Sequence, residues 1–230
     1  MISVFLLFAL IAALPAQAAA ARSSGTLKVV AFGDSLTSGH RLPLKDAYPA
    51  VLERKVKAVG LPFSVINQGV SGDTTAGALR RLDRALEEKP QIFIVELGVN
   101  DGLRGVPVPQ IKANLVKIIT AAQAQNAEVL LCGMEALPLQ GWQYTVEFHK
   151  MYEDLAQEYG VPLVPFVMNG VLGNPDMISD DGVHPNAAGA RYIAGTIWEY
   201  LEPMARKYLE PITRKLLEQD PLSSTTLDKR

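Results

Sequence analysis

From residue 27 onward, short β-branched and apolar runs alternate with longer segments whose apolar residues recur at helical spacing. Residues 27–32, 63–66, 92–96, 129–132 and 163–165 are predicted strands. Between them, residues 47–59, 74–88, 109–125 and 143–159 carry helical periodicity, with Ile111, Leu115, Ile118 and Ile119 on one stripe. A last helix is predicted over 187–208. Gly60, Asn126 and Gly160 stand where helices should end, as residues that tolerate a left-handed backbone. Alternation repeated about five times implies right-handed crossovers, so the expected class is α/β: a three-layer αβα sandwich around a central, mostly parallel five-stranded sheet.

In such a sheet ligands bind outside the carboxyl ends of the strands. That rule directs attention to the loops 33–39, 68–73, 98–105, 133–141 and 168–189. The 230 residues suffice for one substantial domain, expected over 25–208. With 48% hydrophobic residues, 20% charged residues and a formal net charge of -2, the chain offers no basic field to a nucleic acid or an anionic lipid. The single cysteine, Cys132, excludes an intramolecular disulfide and a thiolate zinc cluster.

The N-terminus reads as an address. Residues 2–14 are almost wholly apolar, Pro15 breaks the run, and Ala16, Gln17 and Ala18 give a small-x-small pattern. A secretory signal peptide over 1–18 is expected, with a mature chain starting near Ala19 in the periplasm or outside the cell. No Lys or Arg precedes the run, which leaves an uncleaved anchor as the alternative, although the run falls short of the ~20 residues that span a bilayer. The polar end, within an extension over 209–230, is expected to be partly disordered.

Four loops carry candidate chemistry. The first strand runs into Gly33, Asp34, Ser35 and Leu36; a serine there exposes its hydroxyl at the sheet edge among backbone amides, as a nucleophile requires, and simple helix capping is the alternative. The loop is neither Gly-x-Ser-x-Gly nor a phosphate-binding glycine loop. Gly72, in Ser71 to Thr74, can present its N–H to a reacting oxygen, and Asp73 or Thr74 can cap the next helix. Asn100, between Val99 and Asp101, can offer a side-chain amide, though Asn-Asp-Gly is also ordinary turn chemistry. Asp181 and His184 are three apart, close enough for the carboxylate to reach the imidazole of its own turn and fix its tautomer. Of the three histidines, His149 falls within a helical pattern with charged neighbours and belongs on a solvated face. His40 follows Gly39 near the serine loop, without a carboxylate at a suggestive spacing.

Together these blocks resemble the GDSL, or SGNH, hydrolases, whose four segments contribute a Ser, a Gly, an Asn and a His in the order Ser35, Gly72, Asn100, His184. The resemblance runs from about Leu27 to Pro203 and is closest to the branch of small periplasmic proteins described as acyl-CoA thioesterase I, lysophospholipase L1 and arylesterase. Val99 departs from it, since this branch often has a second Gly there. The resemblance implies a flavodoxin-like SGNH fold and a serine hydrolase acting on small acyl esters or thioesters. Ser35 would be nucleophile, His184 base and Asp181 its orienting acid. Ser35 N–H, Gly72 N–H and the Asn100 amide would form the oxyanion hole. Asp34 would hold the Ser35 turn. Leu137 and Pro138, with Trp142, are expected along an acyl groove.

A carbohydrate O-acetyl esterase is the nearest alternative activity, and a non-catalytic periplasmic ligand-binding module the alternative of another class. No cofactor is implied: in the sequence, the His and carboxylate cluster contains one histidine, too few for a zinc site. The expected form is a monomer whose partner is a small-molecule substrate.

Overall fold

The computed structural model describes residues 26–209. The leader read at 1–18, and the extension read at 209–230 apart from Leu209, lie outside the described residues. Five strands, β1 (Leu27–Gly33), β2 (Phe63–Gly69), β3 (Ile92–Glu96), β4 (Glu128–Cys132) and β5 (Leu163–Val164), form one sheet in the order β2-β1-β3-β4-β5. Every neighbouring pair is parallel, so the expected mostly parallel sheet is wholly so. The central strands explain their own sequences. Val29 to Phe32 and Ile92 to Val95 are completely buried, because helices cover both faces of the sheet and leave no position for an alternating polar residue.

The helices are α1 (Ser35–Ser38), α2 (Tyr48–Ala58), α3 (Thr75–Leu79), α4 (Leu82–Leu86), α5 (Val99–Leu103), α6 (Val108–Ala124), α7 (Trp142–Tyr159) and α8 (Ala187–Lys207). Strand order reverses at β1: β2 lies to one side of it, and β3, β4 and β5 to the other. Right-handed crossovers in opposite directions put their helices on opposite faces. Accordingly α2 packs beside α8, while α6 packs against both α3 and α7. The predicted stripe of α6 is the buried one, with Ile111, Leu115, Ile118 and Ile119 all at 0% exposure. Each such side chain contributes about 1.5–3 kcal/mol of burial. Asn126 and Gly160 end their helices at φ 63° and 62°, in the left-handed region that asparagine tolerates and that glycine, lacking a Cβ, enters freely.

One predicted element is divided. The helix expected over 74–88 is two short ones, α3 and α4, separated at Arg80 and Arg81. Arg81 leaves helical geometry (φ -117°) and turns its guanidinium inward. There it donates to Gly33 O (2.8 Å), Gln68 O (2.6 Å) and Asp73 Oδ2 (2.7 Å), and lies 4.1 Å from the Phe32 ring centroid. Three charge-assisted bonds and a cation–π contact outweigh the helical hydrogen bonds forgone.

Candidate active site

The four expected loops meet at the carboxyl edge of the sheet, around the point where strand order reverses. β1 delivers the first. Asp34 caps α1, its Oδ1 accepting from Leu36 N (3.2 Å), and Ser35 is the first helical residue. The helix closes after one turn because Gly39 takes φ 73°. Asp34 is the cap of this turn, and the cap holds the Ser35 hydroxyl at the sheet edge.

The second partner comes from the far end of the chain. His184 Nε2 lies 3.1 Å from Ser35 Oγ across 149 residues of sequence. On the other side of the ring, Nδ1 lies 2.8 Å from Asp181 Oδ2. An ionised carboxylate only accepts, so Nδ1 carries the proton and Nε2 keeps a lone pair facing the serine hydroxyl. Asp181 reaches this geometry through its own turn. Its Oδ1 accepts from the backbone N–H of His184 (2.9 Å) and Val183 (3.0 Å), and these amides, with the ring, hold the carboxyl well below the usual carboxylate range. Gly182, at φ 74°, makes the turn possible.

Asn100 stands in the first turn of α5, and its Nδ2 donates one hydrogen to Asp34 Oδ2 (3.1 Å). An amide nitrogen has a second hydrogen, free to point toward Ser35. Gly72 lies on the loop after β2 at φ 76°, with its carbonyl held by Arg104 Nη2 (3.0 Å). Thr74 rather than Asp73 caps the next helix, accepting from Gly77 N.

Beneath the serine turn lies a buried acidic floor. Asp34 and Glu96 are both at 0% exposure. Burial pushes Asp34 up to about 6, against the lowering effect of its backbone and Asn100 hydrogen bonds. Burial, with the neighbouring Asp34 charge, pushes Glu96 well above the carboxylate range. Thr37 Oγ1 lies 2.8 Å from Glu96 Oε2 and 2.9 Å from the Tyr48 hydroxyl, so the three side chains form one hydrogen-bonded chain. Glu96 Oε1 has no hydrogen-bond partner among the described residues. A neutral carboxylic acid is the form this cavity tolerates.

Above the serine a cavity of about 270 Å³ opens between Ser35, Asn100 and His184. Its remaining wall is largely apolar, with Leu36, Val99, Met134, Leu137, Phe166 and Met168 among its residues. Leu137 is thus where the acyl groove was expected. Pro138 and Trp142 are outside this wall; Trp142 begins α7 with 74% of its surface exposed. Cys132 is completely buried, and burial raises its thiol well above the usual range, so it is an inert core residue. His149 stays apart, half-exposed between Glu135 and Glu153. The count of one histidine in the His and carboxylate cluster needs correction: the His40 ring centroid lies 4.3 Å from that of His184, the base candidate. Sequence separation hid the pair, which only the folded loops bring together.

The pattern of the GDSL-like Lipase/Acylhydrolase family matches residues 31–192, a span that holds all four loops. The chain belongs to this family. It is 38% identical over 180 residues to Esterase TesA of Pseudomonas aeruginosa, covering 78% of this chain and 89% of that protein. It is 37% identical over 184 residues to thioesterase 1/protease 1/lysophospholipase L1 of Escherichia coli K12, covering 80% and 87%. A crystal structure of TesA superimposes with a TM-score of 0.74 at 36% identity, over 77% of this chain and 99% of that one.

Within this GDSL-like framework, two supports went unread in the sequence. Arg81 ties the ends of β1 and β2 to Asp73; a cation interrupting an apolar helical pattern was its signal. Asp101 accepts from Thr75 N (2.8 Å) and Thr75 Oγ1 (2.7 Å), while Asn114 Nδ2 donates to Thr75 Oγ1 (3.0 Å). That network pins α5, and with it Asn100, to α3 and α6. Nothing in the spacing of residues 75, 101 and 114 announces it.

Proposed function

We propose that the protein is a serine hydrolase that cleaves carboxylic ester and thioester bonds of small acyl substrates through an acyl-enzyme. One observation carries the reading: Ser35 Oγ at 3.1 Å from His184 Nε2, with Asp181 on the other ring nitrogen. As an acyl carbonyl enters the cavity, Ser35 Oγ attacks carbon while its proton passes to His184 Nε2. Asp181 stabilises the imidazolium. The negative oxygen of the tetrahedral intermediate is held by Ser35 N–H, Gly72 N–H and the free Asn100 N–H. His184 returns its proton to the departing alcohol or thiol, and water then releases the acyl group by the reverse sequence.

The apolar wall favours an aliphatic acyl chain over a bare acetyl group. Each methylene buried adds about 0.8 kcal/mol, or roughly 4-fold in kcat/KM, until the cavity is full. Pro138 lies beside Leu137 and borders the groove once a chain extends beyond it. In this reading Ser35, His184, Asp181, Gly72 and Asn100 account for each proton and charge in the cycle, and the protein acts as a monomer without a cofactor. The leader and small-residue cleavage pattern at residues 2–18 fit export to the periplasm or beyond.

The test is a panel of p-nitrophenyl esters from acetyl to palmitoyl, with an acyl-CoA and an acetylated sugar, on the purified protein and on Ser35→Ala. Hydrolysis rising from acetyl toward medium chains, with fluorophosphonate labelling lost in Ser35→Ala, is expected. Activity confined to the acetylated sugar would replace the reading with carbohydrate deacetylation. Absence of labelling would favour a ligand-binding module.

A further inference from the structure

Residues 40, 181 and 184 form the one set among the described residues in which three histidine or carboxylate groups converge as metal ligands. One ligand atom from each lies within 4.8 Å of the others. The two imidazoles face one another at 4.3 Å between centroids with their planes 38° apart, and His40 Nδ1 lies 3.2 Å from Ser71 Oγ, while its other nitrogen has no hydrogen-bond partner among the described residues. Bonds of about 2.0–2.2 Å to nitrogen and oxygen around a tetrahedral zinc ion require ligands about 3.3 Å apart. Closing this gap requires the His184 ring to give up its hydrogen bond to Ser35 or to Asp181, and both rings are partly exposed and so have room to turn.

We propose that His40, Asp181 and His184 bind a borderline divalent transition-metal ion, zinc or copper(II), and that this ion inhibits the enzyme reversibly. Two imidazoles and one carboxylate select such ions over magnesium or calcium, which require oxygen ligands. Inhibition follows from the proton balance of one ring. An ion on His184 Nε2 occupies the lone pair that must accept the Ser35 proton. An ion on Nδ1 displaces the proton there, and a ring reprotonated at Nε2 cannot accept another. His40 is the residue that converts an ordinary acid–base pair into a chelate; it is absent from the wall of the acyl cavity, and its one contact with Ser35 is a backbone hydrogen bond, His40 N–H to Ser35 O (3.0 Å), that side-chain substitutions keep. Arg41 opposes the ion, its Nη1 standing 4.0 Å from Asp181 Oδ2, but its side chain is 71% exposed and free to swing into solvent. Cys132, the soft ligand that would otherwise compete, is sealed in the core.

The inhibitory consequence rests on the hydrolase reading; the binding does not. Zinc titrated against p-nitrophenyl ester hydrolysis in a non-chelating buffer should inhibit, with EDTA restoring activity and millimolar magnesium having no effect. His40→Phe, which keeps a ring against His184, and His40→Gln should each raise the half-inhibiting zinc concentration about tenfold or more with turnover little altered. Arg41→Ala should lower it by about 5-fold. Calorimetry on Ser35→Ala should find one zinc ion per chain, lost in Ser35→Ala/His40→Phe and kept in Ser35→Ala/His149→Ala. Equal zinc sensitivity in the wild type and both folded His40 variants, or binding lost with His149 instead, would overturn the proposal. Zinc bound through His40 in a protein that hydrolyses no ester would retain the site and discard the hydrolase reading. Hydrolysis without any zinc effect would do the reverse.

Discussion

The two halves of the site are built by opposite means. Below Ser35, Asp34, Thr37, Tyr48 and Glu96 form a buried polar floor drawn from three separate elements, with burial raising both carboxyls. Beside Ser35, Asp181 and His184 belong to one short turn near solvent, where backbone amides lower the Asp181 carboxyl. The floor is expensive to assemble and rigid once assembled, because a buried polar group without partners costs about 1–3 kcal/mol. The turn is inexpensive and locally determined. In the proposed mechanism a nucleophile that must not move stands on the first, and a base that must exchange protons with entering and departing groups stands on the second.

Substitutions can separate the two halves, beginning with the residue where they meet. Ser35→Ala should lower turnover by about 10⁶-fold and abolish fluorophosphonate labelling with an unchanged melting temperature. Residual activity within about 10-fold of wild type would move the chemistry elsewhere. On the turn, Asp181→Asn should cost about 10³–10⁴-fold in kcat, since an amide no longer enforces the Nδ1–H tautomer. A loss under about 10-fold would mean that His184 is oriented from the floor side. Spanning both halves, Asn100→Ala should lower kcat about 10²–10³-fold with KM little changed, a split that steady-state kinetics reads directly.

Within the floor, Glu96→Gln should alter turnover only a few-fold but change how stability depends on pH. Glu96 has a raised pKa when folded, so above its ordinary value of 4.5 the native state holds a proton that the unfolded chain has released. Stability therefore falls as pH rises from about 4.5, and Asp34 adds the same trend between 3.8 and about 6. Gln carries no such proton. Urea unfolding at pH 4 to 7 should find the variant gaining on wild type as pH rises, and parallel curves would mean that Glu96 ionises freely. The smallest effect is expected at Leu137, on the rim: Leu137→Ala should shift the acyl chain-length optimum with little change in the rate on acetyl esters.

Legibility followed this same division. The Asp181–His184 pair was readable because its geometry is contained in four residues, and the Asp34–Ser35 turn because a cap and a strand end are local features. The floor was not. Glu96 reads as the last residue of an apolar strand, and nothing near it in sequence announces Thr37 or Tyr48 above it. Arg81 and the Thr75–Asp101–Asn114 network escaped for the same reason, and Arg81 also divided a helix whose periodicity looked continuous.

By itself the sequence determined the α/β class, the five strands with their intervening helices, and the four segments that carry the candidate site residues. Periodicity, turn residues and helix caps act over a few positions, and those were present in the chain. Tertiary structure alone decided which of those segments touch: Ser35 with His184, Asp34 with Glu96, and His40 with His184. Such contacts depend on strand order and crossover hand, which bring together residues up to 149 positions apart that no local pattern links.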